Sequence, residues 1–307
     1  MGILYSGQTI TDSNNLTNSL GNLNLDGSTV VTLITAVYNQ LLVSGWTVYP
    51  IGSNTTPGVV PIRMRSVATP QGLRGDLWMQ TNTVSGVTYA WFNASSCNAT
   101  AYNTPQQTMT TQVMVTGSGI SYRLISTGFY FYLLRAATPC PPGQSFMMHV
   151  PSVPAFLSGM VYESVVAVGG IATGAQITQG MFLTNGANAY SQLNGSGGTG
   201  YTRWNLYGLG PAASADVGVA APTMGSSGAS LKPVWFDGSC EFYEPRVMSY
   251  QTNSSGQSSG YIQAIGYLWD ALVVNYPMPR GTAITYDGGT WTVLTESTDP
   301  GLMLKVA

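Results

Sequence analysis

Charged residues are scarce in this sequence. Asp, Glu, Lys and Arg make up 7% of its 307 residues and the formal net charge is −2, whereas typical soluble domains carry about 25% charged residues. No basic or acidic run occurs, so we expect neither nucleic acid nor an anionic membrane as a partner. Because a weakly charged surface favours association, the composition predicts a subunit covered by neighbours in a permanent assembly. The alternative is a secreted β protein with a surface rich in hydroxyl and amide groups.

Histidine and cysteine are also rare. The chain has a single histidine, His149, and three widely spaced cysteines, Cys97, Cys140 and Cys240, without a C-x-x-C pair. A structural zinc site takes four ligands, mostly of these two types, so we predict no metal site. The odd number and wide spacing of the cysteines predict reduced thiols in a chain made in the cytosol. One disulfide with one free thiol is the alternative.

Long apolar runs are missing as well. No segment reaches the roughly 18 apolar residues of a membrane span, and the run 129-FYFYLL-134 has the length of a core strand. The start of the chain has neither the n-region nor the h-region of a secretory signal peptide. Residues 1–6, MGILYS, match the N-myristoylation pattern, but no polybasic second signal accompanies them. We therefore expect no membrane partner.

One segment predicts an amphipathic helix over about residues 28–44. Its apolar residues recur at the three- and four-residue spacing of one helical face: Val30, Leu33, Ile34, Val37, Leu41 and Leu42. Ser28 or Thr29 can cap its start, and Gly45 occupies the C′ position at its end. The polar, turn-rich residues 1–27 predict an extended arm or an irregular loop.

The rest of the chain predicts strands, and the fold class is mainly β, with antiparallel sheets in a sandwich-like arrangement. β-branched or aromatic runs punctuated by Gly, Asn and Pro occupy 61–67, 76–83, 87–93, 108–117, 120–135, 160–170, 233–251 and 260–277. The run 120–135 divides at Gly128, and 267–275 fits either a strand or a short helix. A Pro-rich connection at 139–154 separates an N-terminal arm, helix and β domain (1–138) from a second β region (155–307).

The stretch 282-TAITYDGGTWTVL-294 predicts a C-terminal β-hairpin module. Apolar residues alternate on both sides of a turn at Asp287–Gly289, where glycine accepts a positive φ at no steric cost. The alternation places Ile284, Tyr286, Trp291 and Val293 on one face, with Trp291 buried. The run 302-LMLKV-306 predicts a further strand nearby.

Two patterns resemble binding or catalytic motifs. Residues 195-GSGGTG-200 match G-x-G-x-x-G, but the aromatic, strand-like 201-YTRWNLYG-208 follows where the dinucleotide fingerprint requires a helix. We interpret this match as a loop and predict no nucleotide cofactor. His149 would have to serve any Ser–His–Asp or Cys–His site, with Cys140 nearby. Without a G-x-S-x-G elbow, we interpret it as a packed or interface histidine.

Paired carboxylates are the remaining enzyme hypothesis, because glycoside hydrolysis needs two carboxyl groups about 5 to 9 Å apart. The candidates are Asp237, Glu241 and Glu244 in 236-FDGSCEFYEPR-246, together with Glu163. In the structural alternative, Glu241 or Glu244 pairs with Arg246 or caps a turn. We favour that alternative and predict no catalytic, cofactor-binding or metal-binding residue.

The two ends of the chain resemble structural proteins of tailed-bacteriophage virions. The resemblance rests on 33-LITAVYNQLLVSGW-46, a helix that ends in L-x-x-x-G-W, and on 277-PMPRGTAITYDGGTWTVLTESTDPGLMLKVA-307. In that group a proline-containing strand, a glycine turn, an aromatic-valine strand and a final hydrophobic strand close the chain. The resemblance implies a non-enzymatic protein that forms symmetric rings or trimers in the neck, tail, baseplate or capsid. Residues 50 to 260 carry no such resemblance.

The expected function is therefore that of a non-enzymatic structural subunit of a virion, made in the host cytoplasm. We expect a tail, baseplate or neck component whose partners are copies of itself and other virion proteins, with a host surface glycan as a further candidate. One alternative is a glycan-binding or glycan-cleaving receptor-recognition protein of the virion, with platform residues Tyr201, Trp204, Trp235 and Tyr243. The other is a secreted surface-layer or adhesin domain.

Overall fold

The protein folds around antiparallel sheets and one described helix, α1 (Ser28–Val43). The structure is a computed structural model that describes residues 3–18, 28–48, 62–84, 87–95, 108–114, 120–135, 146–150, 152, 167–169, 181–183, 190–192, 202–206, 242–244, 246–252, 258–274, 281–294 and 301–307. Every strand pairing within these residues is antiparallel. The predicted mainly β fold is confirmed.

Three five-stranded sheets organise the described residues. The central sheet has the order β1 (Thr11–Asn18), β7 (Ile120–Ser126), β8 (Tyr130–Arg135), β9 (Phe146–His149), β10 (Ala167–Gly169). The helix-side sheet has the order β2 (Thr47–Val48), β3 (Ile62–Arg65), β4 (Asp76–Val84), β5 (Val87–Ser95), β6 (Thr108–Met114). The C-terminal sheet has the order β14 (Phe242–Tyr243), β17 (Ala271–Val274), β20 (Gly301–Lys305), β19 (Gly289–Val293), β18 (Ala283–Tyr286).

Two smaller sheets complete the set of described strands. One pairs β11 (Met181–Leu183) with β12 (Tyr190–Gln192). The other has the order β13 (Thr202–Leu206), β15 (Arg246–Thr252), β16 (Ser258–Tyr267). The predicted strands before the Pro-rich segment correspond to β3 through β8, with ends displaced by a few residues. The run 120–135 divides around Gly128 into β7 and β8, as predicted.

The central sheet is buried on both faces. Phe131 and Leu133 belong to a first core with α1 and the helix-side sheet. Tyr130 and Tyr132, which alternate with them along β8, belong to a second core against the C-terminal sheet. Because successive side chains of a strand point to opposite faces, a strand buried on both sides must be apolar throughout. This explains the uninterrupted run 129-FYFYLL-134.

The helix ends as the sequence predicts. Gly45 has a φ of +88°, its N–H donates to the carbonyl of Leu42 at 3.0 Å, and the N–H of Trp46 donates to the carbonyl of Leu41 at 2.9 Å. These two bonds form a Schellman motif, which satisfies carbonyls that the last helical turn leaves open. The predicted apolar face is buried except for Leu42, which is 41% exposed. The inclusion of Leu42 in that face was therefore wrong.

The N-terminal arm is partly regular. Residues 11–18 form β1 and pair with β7 at one edge of the central sheet, so the irregular-loop alternative is wrong for this part. An edge strand is held through backbone hydrogen bonds, which a polar sequence supplies as well as an apolar one. The preceding residues 3–10 run along the C-terminal sheet, where Ile3 packs on Leu272, Trp291, Val293 and Met303, a third core.

The predicted Pro-rich connection at 139–154 contains a strand of the central sheet. Its residues 146–149 form β9, which pairs with β8. Ser152 then forms an isolated antiparallel bridge with Tyr267 at the end of β16. Residues 267–274 of the segment 267–275 form the end of β16, a turn and β17, so the short-helix alternative is wrong for these residues.

The predicted C-terminal hairpin is present, with β18 and β19 joined at Asp287 and Gly288, both at positive φ. Trp291 is buried, whereas Tyr286 on the same face is 38% exposed. The strand β20, predicted as 302–306, pairs with β19 and β17. Thr292, on the opposite face, is buried as well. The C-terminal sheet is covered on both faces, because the second core lies on that side.

Candidate assembly surface

The single histidine lies in the interior, between the central and C-terminal sheets. His149 is fully buried, and its ring stacks on Tyr130 with the centroids 4.6 Å apart. Its Nε2 atom accepts the backbone N–H of Trp269 at 3.0 Å, so the neutral ring carries its proton on Nδ1. That Nδ1–H donates to the hydroxyl oxygen of Tyr132 at 2.9 Å. Burial lowers the pKa of His149 from 6.5 to about 3, which keeps the ring neutral.

A buried carboxylate, Asp270, follows Trp269 in the turn between β16 and β17. It accepts the hydroxyl of Tyr130 at 3.2 Å and the backbone N–H of Ser6 at 3.0 Å. Burial, together with the Asp270 charge, raises the pKa of Tyr130 well above 10.0. The backbone N–H of Asp270 also donates to the carbonyl of Leu4 at 2.8 Å. Asp270 therefore fastens the N-terminal segment to the C-terminal sheet.

An ion pair connects the central sheet with the C-terminal hairpin. The Arg123 guanidinium donates to both oxygens of Asp12 in the adjacent strand β1, at 3.0 and 2.6 Å. Its remaining nitrogen, Nη1, donates to the Thr292 hydroxyl at 3.0 Å. A planar guanidinium presents donors that suit such a bidentate contact. The positive charge of Arg123 is thus neutralised by a partner within the same chain.

The helix-side sheet carries a second bidentate pair on its outer side. Arg65 donates to the two oxygens of Asp76 at 2.6 and 2.8 Å. Arg63 lies over the ring of Trp78, 3.8 Å from the centroid. Here too, charged groups are held by neighbours in the same chain.

The described surface exposes a few large apolar side chains: Tyr5 (36%), Tyr286 (38%), Leu42 (41%) and Val43 (77%). Two of them, Tyr5 and Tyr286, belong to the C-terminal sheet and the segment packed on it. The Tyr5 hydroxyl donates to the Asp287 carboxylate at 2.6 Å, and Lys305 Nζ lies 4.6 Å from its ring centroid. Burial and the Asp287 carboxylate raise the pKa of Tyr5 to about 12.

Within the part of the chain that the structure describes, no strand pairs with the outer edge of β18. Among the strands that the structure describes, β18 is the last of the C-terminal sheet and pairs with β19 alone. The two-residue turn makes Tyr286 and Gly289 a hydrogen-bonded pair, and such pairs alternate along an antiparallel ladder. Ala283 and Thr285 therefore direct their backbone N–H and C=O groups outward, and both residues are exposed.

Most residues proposed for binding or catalysis lie outside the described residues. These are Cys140, Glu163, the loop 195–200, Tyr201, Trp235, Asp237 and Glu241. The other two cysteines, Cys97 and Cys240, also lie outside the described residues. Arg246 begins β15. Glu244 is half-buried and has an interaction partner. Two of the proposed glycan-platform residues lie in different sheets, because Trp204 belongs to β13 and Tyr243 to β14.

Sequence reasoning missed the polar groups that join the layers, namely Gln40, Arg123 and Asp270. Gln40 is buried on α1, where its side-chain amide donates to the carbonyl of Leu124 at 2.9 Å. For Gln40 and Asp270, the sequence contained a pattern that indicated a buried polar group. Gln40 interrupts the buried face of the helix, and Asp270 interrupts the apolar run 267-YLWDALVV-274. A polar group at such a position is buried only with a partner.

Comparisons with known proteins add no assignment. No protein-family model matches the chain, and no curated protein is significantly similar to it. Within the described residues, no three His, Cys, Asp or Glu side chains gather closely enough to hold a metal ion. No helix in the part of the chain that the structure describes combines the length and the apolar character needed to cross a bilayer.

Proposed function

We propose that this chain is a non-enzymatic structural subunit of a tailed-bacteriophage particle. It is a component of the tail, baseplate or neck and works by assembling with copies of itself and with other virion proteins. It is made in the host cytoplasm and functions in the virion. The resemblance at the two ends of the chain supports this assignment to a particle.

The scarcity of charge carries the proposal, since only 7% of residues are Asp, Glu, Lys or Arg. Several of these charges have internal partners: Asp12 pairs with Arg123, Asp76 with Arg65, and Asp270 accepts bonds from Tyr130 and Ser6. Few charges then remain to keep separate copies apart in solution. A permanent assembly removes that requirement, because its contacts rely on apolar and hydrogen-bonding groups.

Three carboxylates, Asp12, Asp76 and Asp270, have surroundings that support a structural rather than a catalytic role. Asp12 and Asp76 are neutralised by bidentate arginines. Asp270 is buried beneath the N-terminal segment, where it accepts the N–H of Ser6. A general acid or nucleophile needs access to a substrate, which these positions do not offer.

The test is whether the chain is a stoichiometric part of a particle. Particles are purified on a density gradient from a lysate of the bacterium that produces the chain, and each fraction is analysed by quantitative mass spectrometry. We expect peptides of the chain to peak with the particles, at a constant ratio to the other virion proteins. Chain found only in the fractions of free protein would contradict the proposal.

A further inference from the structure

We propose that two copies of this chain join edge to edge through β18. The β18 strand of one copy pairs antiparallel with the β18 strand of the other, about a two-fold axis at Ile284. The inference rests on the proposed function, because it names the surface through which the subunit assembles. It starts from the outer edge of β18, where Ala283 and Thr285 each present an outward N–H and C=O.

The four residues of the edge strand carry no charge, no proline and no bulge, three of the devices that usually prevent such pairing. Proteins protect exposed edge strands with lysine or other charges, with proline, or with a bulge. The strand Ala283–Tyr286 reads AITY, and its register with β19 is continuous over all four residues. An unprotected, regular edge is therefore a template for another strand.

The strand is complementary to itself. In the proposed joint between the two β18 strands, Ala283 of one copy lies opposite Thr285 of the other. Both residues direct their backbone N–H and C=O groups toward each other and exchange two hydrogen bonds. The same register repeats on the other side of the axis, so the contact closes as an isologous dimer interface. An unrelated partner strand would also satisfy the backbone groups, but it would not bring this symmetry.

The side chains favour the same arrangement. Ile284 packs on the edge of the third core and meets its symmetry mate in the close, non-hydrogen-bonded position at the axis. Tyr286, 38% exposed, lies on the same face, where its ring contacts Phe242 with the centroids 4.6 Å apart. The joint thus extends the third core from one copy into the next and buries apolar surface that a single copy exposes.

The charges at the ends of the joint are compatible with it. Asp287 of one copy lies opposite Gly281 of the other in this register, so the two Asp287 carboxylates stay at opposite ends. Like charges directly opposite one another would have opposed the pairing.

Cysteine cross-linking tests the register directly. A non-hydrogen-bonded antiparallel pair holds its Cβ atoms about 4.5 to 5.5 Å apart, close enough for a disulfide after slight adjustment. Ile284→Cys should therefore form a covalent dimer under mild oxidation. Thr285→Cys is the matched control, because its symmetry mate lies two residues along the partner strand, beyond the roughly 7 Å Cα limit for a disulfide. Both variants are compared with the wild type on non-reducing gels, since the chain has cysteines of its own.

A second pair of variants tests the hydrogen bonds of the edge. Thr285→Pro removes the outward N–H, which β19 does not use, whereas Thr285→Val retains it. The fluorescence of buried Trp291 checks that the hairpin is folded in both. We expect Thr285→Pro to halve the mass of the assembled species at low micromolar concentration and Thr285→Val to leave it unchanged.

The outcomes separate this inference from the proposed function. Cross-linking at residue 284 but not 285, together with dissociation of Thr285→Pro alone, supports the joint. An assembled wild type with no cross-link at residue 284 and an unaffected Thr285→Pro variant overturns the joint and leaves the proposed function standing. A wild type that stays monomeric overturns both.

Discussion

The hydroxyl oxygen of Tyr132 lies 2.9 Å from Nδ1 of His149, and both residues are fully buried. They lie on the adjacent strands β8 and β9 of the central sheet. The other ring nitrogen of His149 accepts the N–H of Trp269 at 3.0 Å, from the turn before β17. The neutral imidazole thus joins the central sheet to the C-terminal sheet. Protonation of Nε2 would replace that hydrogen bond with a clash of two donors.

Stability should fall as the pH is lowered through the range in which this histidine titrates. The pKa of His149 is about 3 in the folded protein, against 6.5 as the ordinary value. Between these values the unfolded chain binds a proton that the folded chain does not, so the free energy of unfolding decreases as pH falls. The decrease reaches at most about 1.4 kcal/mol per pH unit, and the full contribution is present above pH 6.5.

His149→Gln is the control for this titration, because glutamine stays neutral while offering an acceptor to Trp269. Urea unfolding is measured at several pH values from 7 to 4. We expect a shallower loss of stability for His149→Gln than for the wild type, since the carboxylates contribute equally to both. Parallel curves would mean that His149 does not titrate as its burial requires.

Trp291→Ala should destabilise the protein by about 3–5 kcal/mol, because the side chain is fully buried in the third core. It also removes the indole donor that bonds the carbonyl of Tyr286 at 2.9 Å. Thr290→Ala, one residue earlier on the opposite face, is half-buried and should cost less than about 1 kcal/mol. Equal losses of unfolding free energy in the two variants would show that the Trp291 face is not a core.

Gly45→Ala should lower the melting temperature more than Gly72→Ala. Both glycines have positive φ, +88° and +81°, so alanine is strained at either site by about 1–2 kcal/mol. At Gly45 the new Cβ would also lie 3.1 Å from Val67 Cγ2, whereas at Gly72 it would meet nothing within 4 Å. A larger effect at Gly72 would contradict the tight approach of the helix end to Val67.

Arg123→Met should destabilise the protein by about 1–3 kcal/mol, because it leaves the Asp12 carboxylate and the Thr292 hydroxyl without their shared donor. The pair is only partly exposed, at 23% and 15% of the two side chains, so solvent screens it incompletely. Thr292→Val removes one of the two contacts and should cost less. Denaturant unfolding measures both variants, and an effect of Thr292→Val equal to that of Arg123→Met would argue against the Asp12 pair.

Local patterns of the sequence predicted the helix and the hairpin, since both depend on neighbours in the chain. The Gly45 terminus follows from a C′ glycine, and the turn at Asp287–Gly288 follows from residues that accept positive φ. The exposure of Leu42 and the burial of Thr292 did not follow, because each depends on which other layer covers that face. Amphipathic spacing indicates a preferred face and says nothing of a second layer.

The polar connections could not be predicted, because their partners are distant in sequence. Ser6 and Asp270 are 264 residues apart, and His149 and Trp269 are 120 residues apart. The sequence indicated only that Asp270 stands in an apolar run and that His149 is packed. The order of strands in the central sheet, in which β1 lies beside β7, is a long-range property of the same kind. The oxidation state of the cysteines stays a prediction.

The measurement that tests self-assembly most directly is sedimentation velocity of the purified chain at micromolar concentration, at about 0.1 M and about 1 M salt. Contacts made by apolar and hydrogen-bonding groups are little affected by salt, whereas contacts between charges are screened. We therefore predict a discrete species at a multiple of 32.4 kDa in both buffers. A monodisperse species at 32.4 kDa in both would contradict the account.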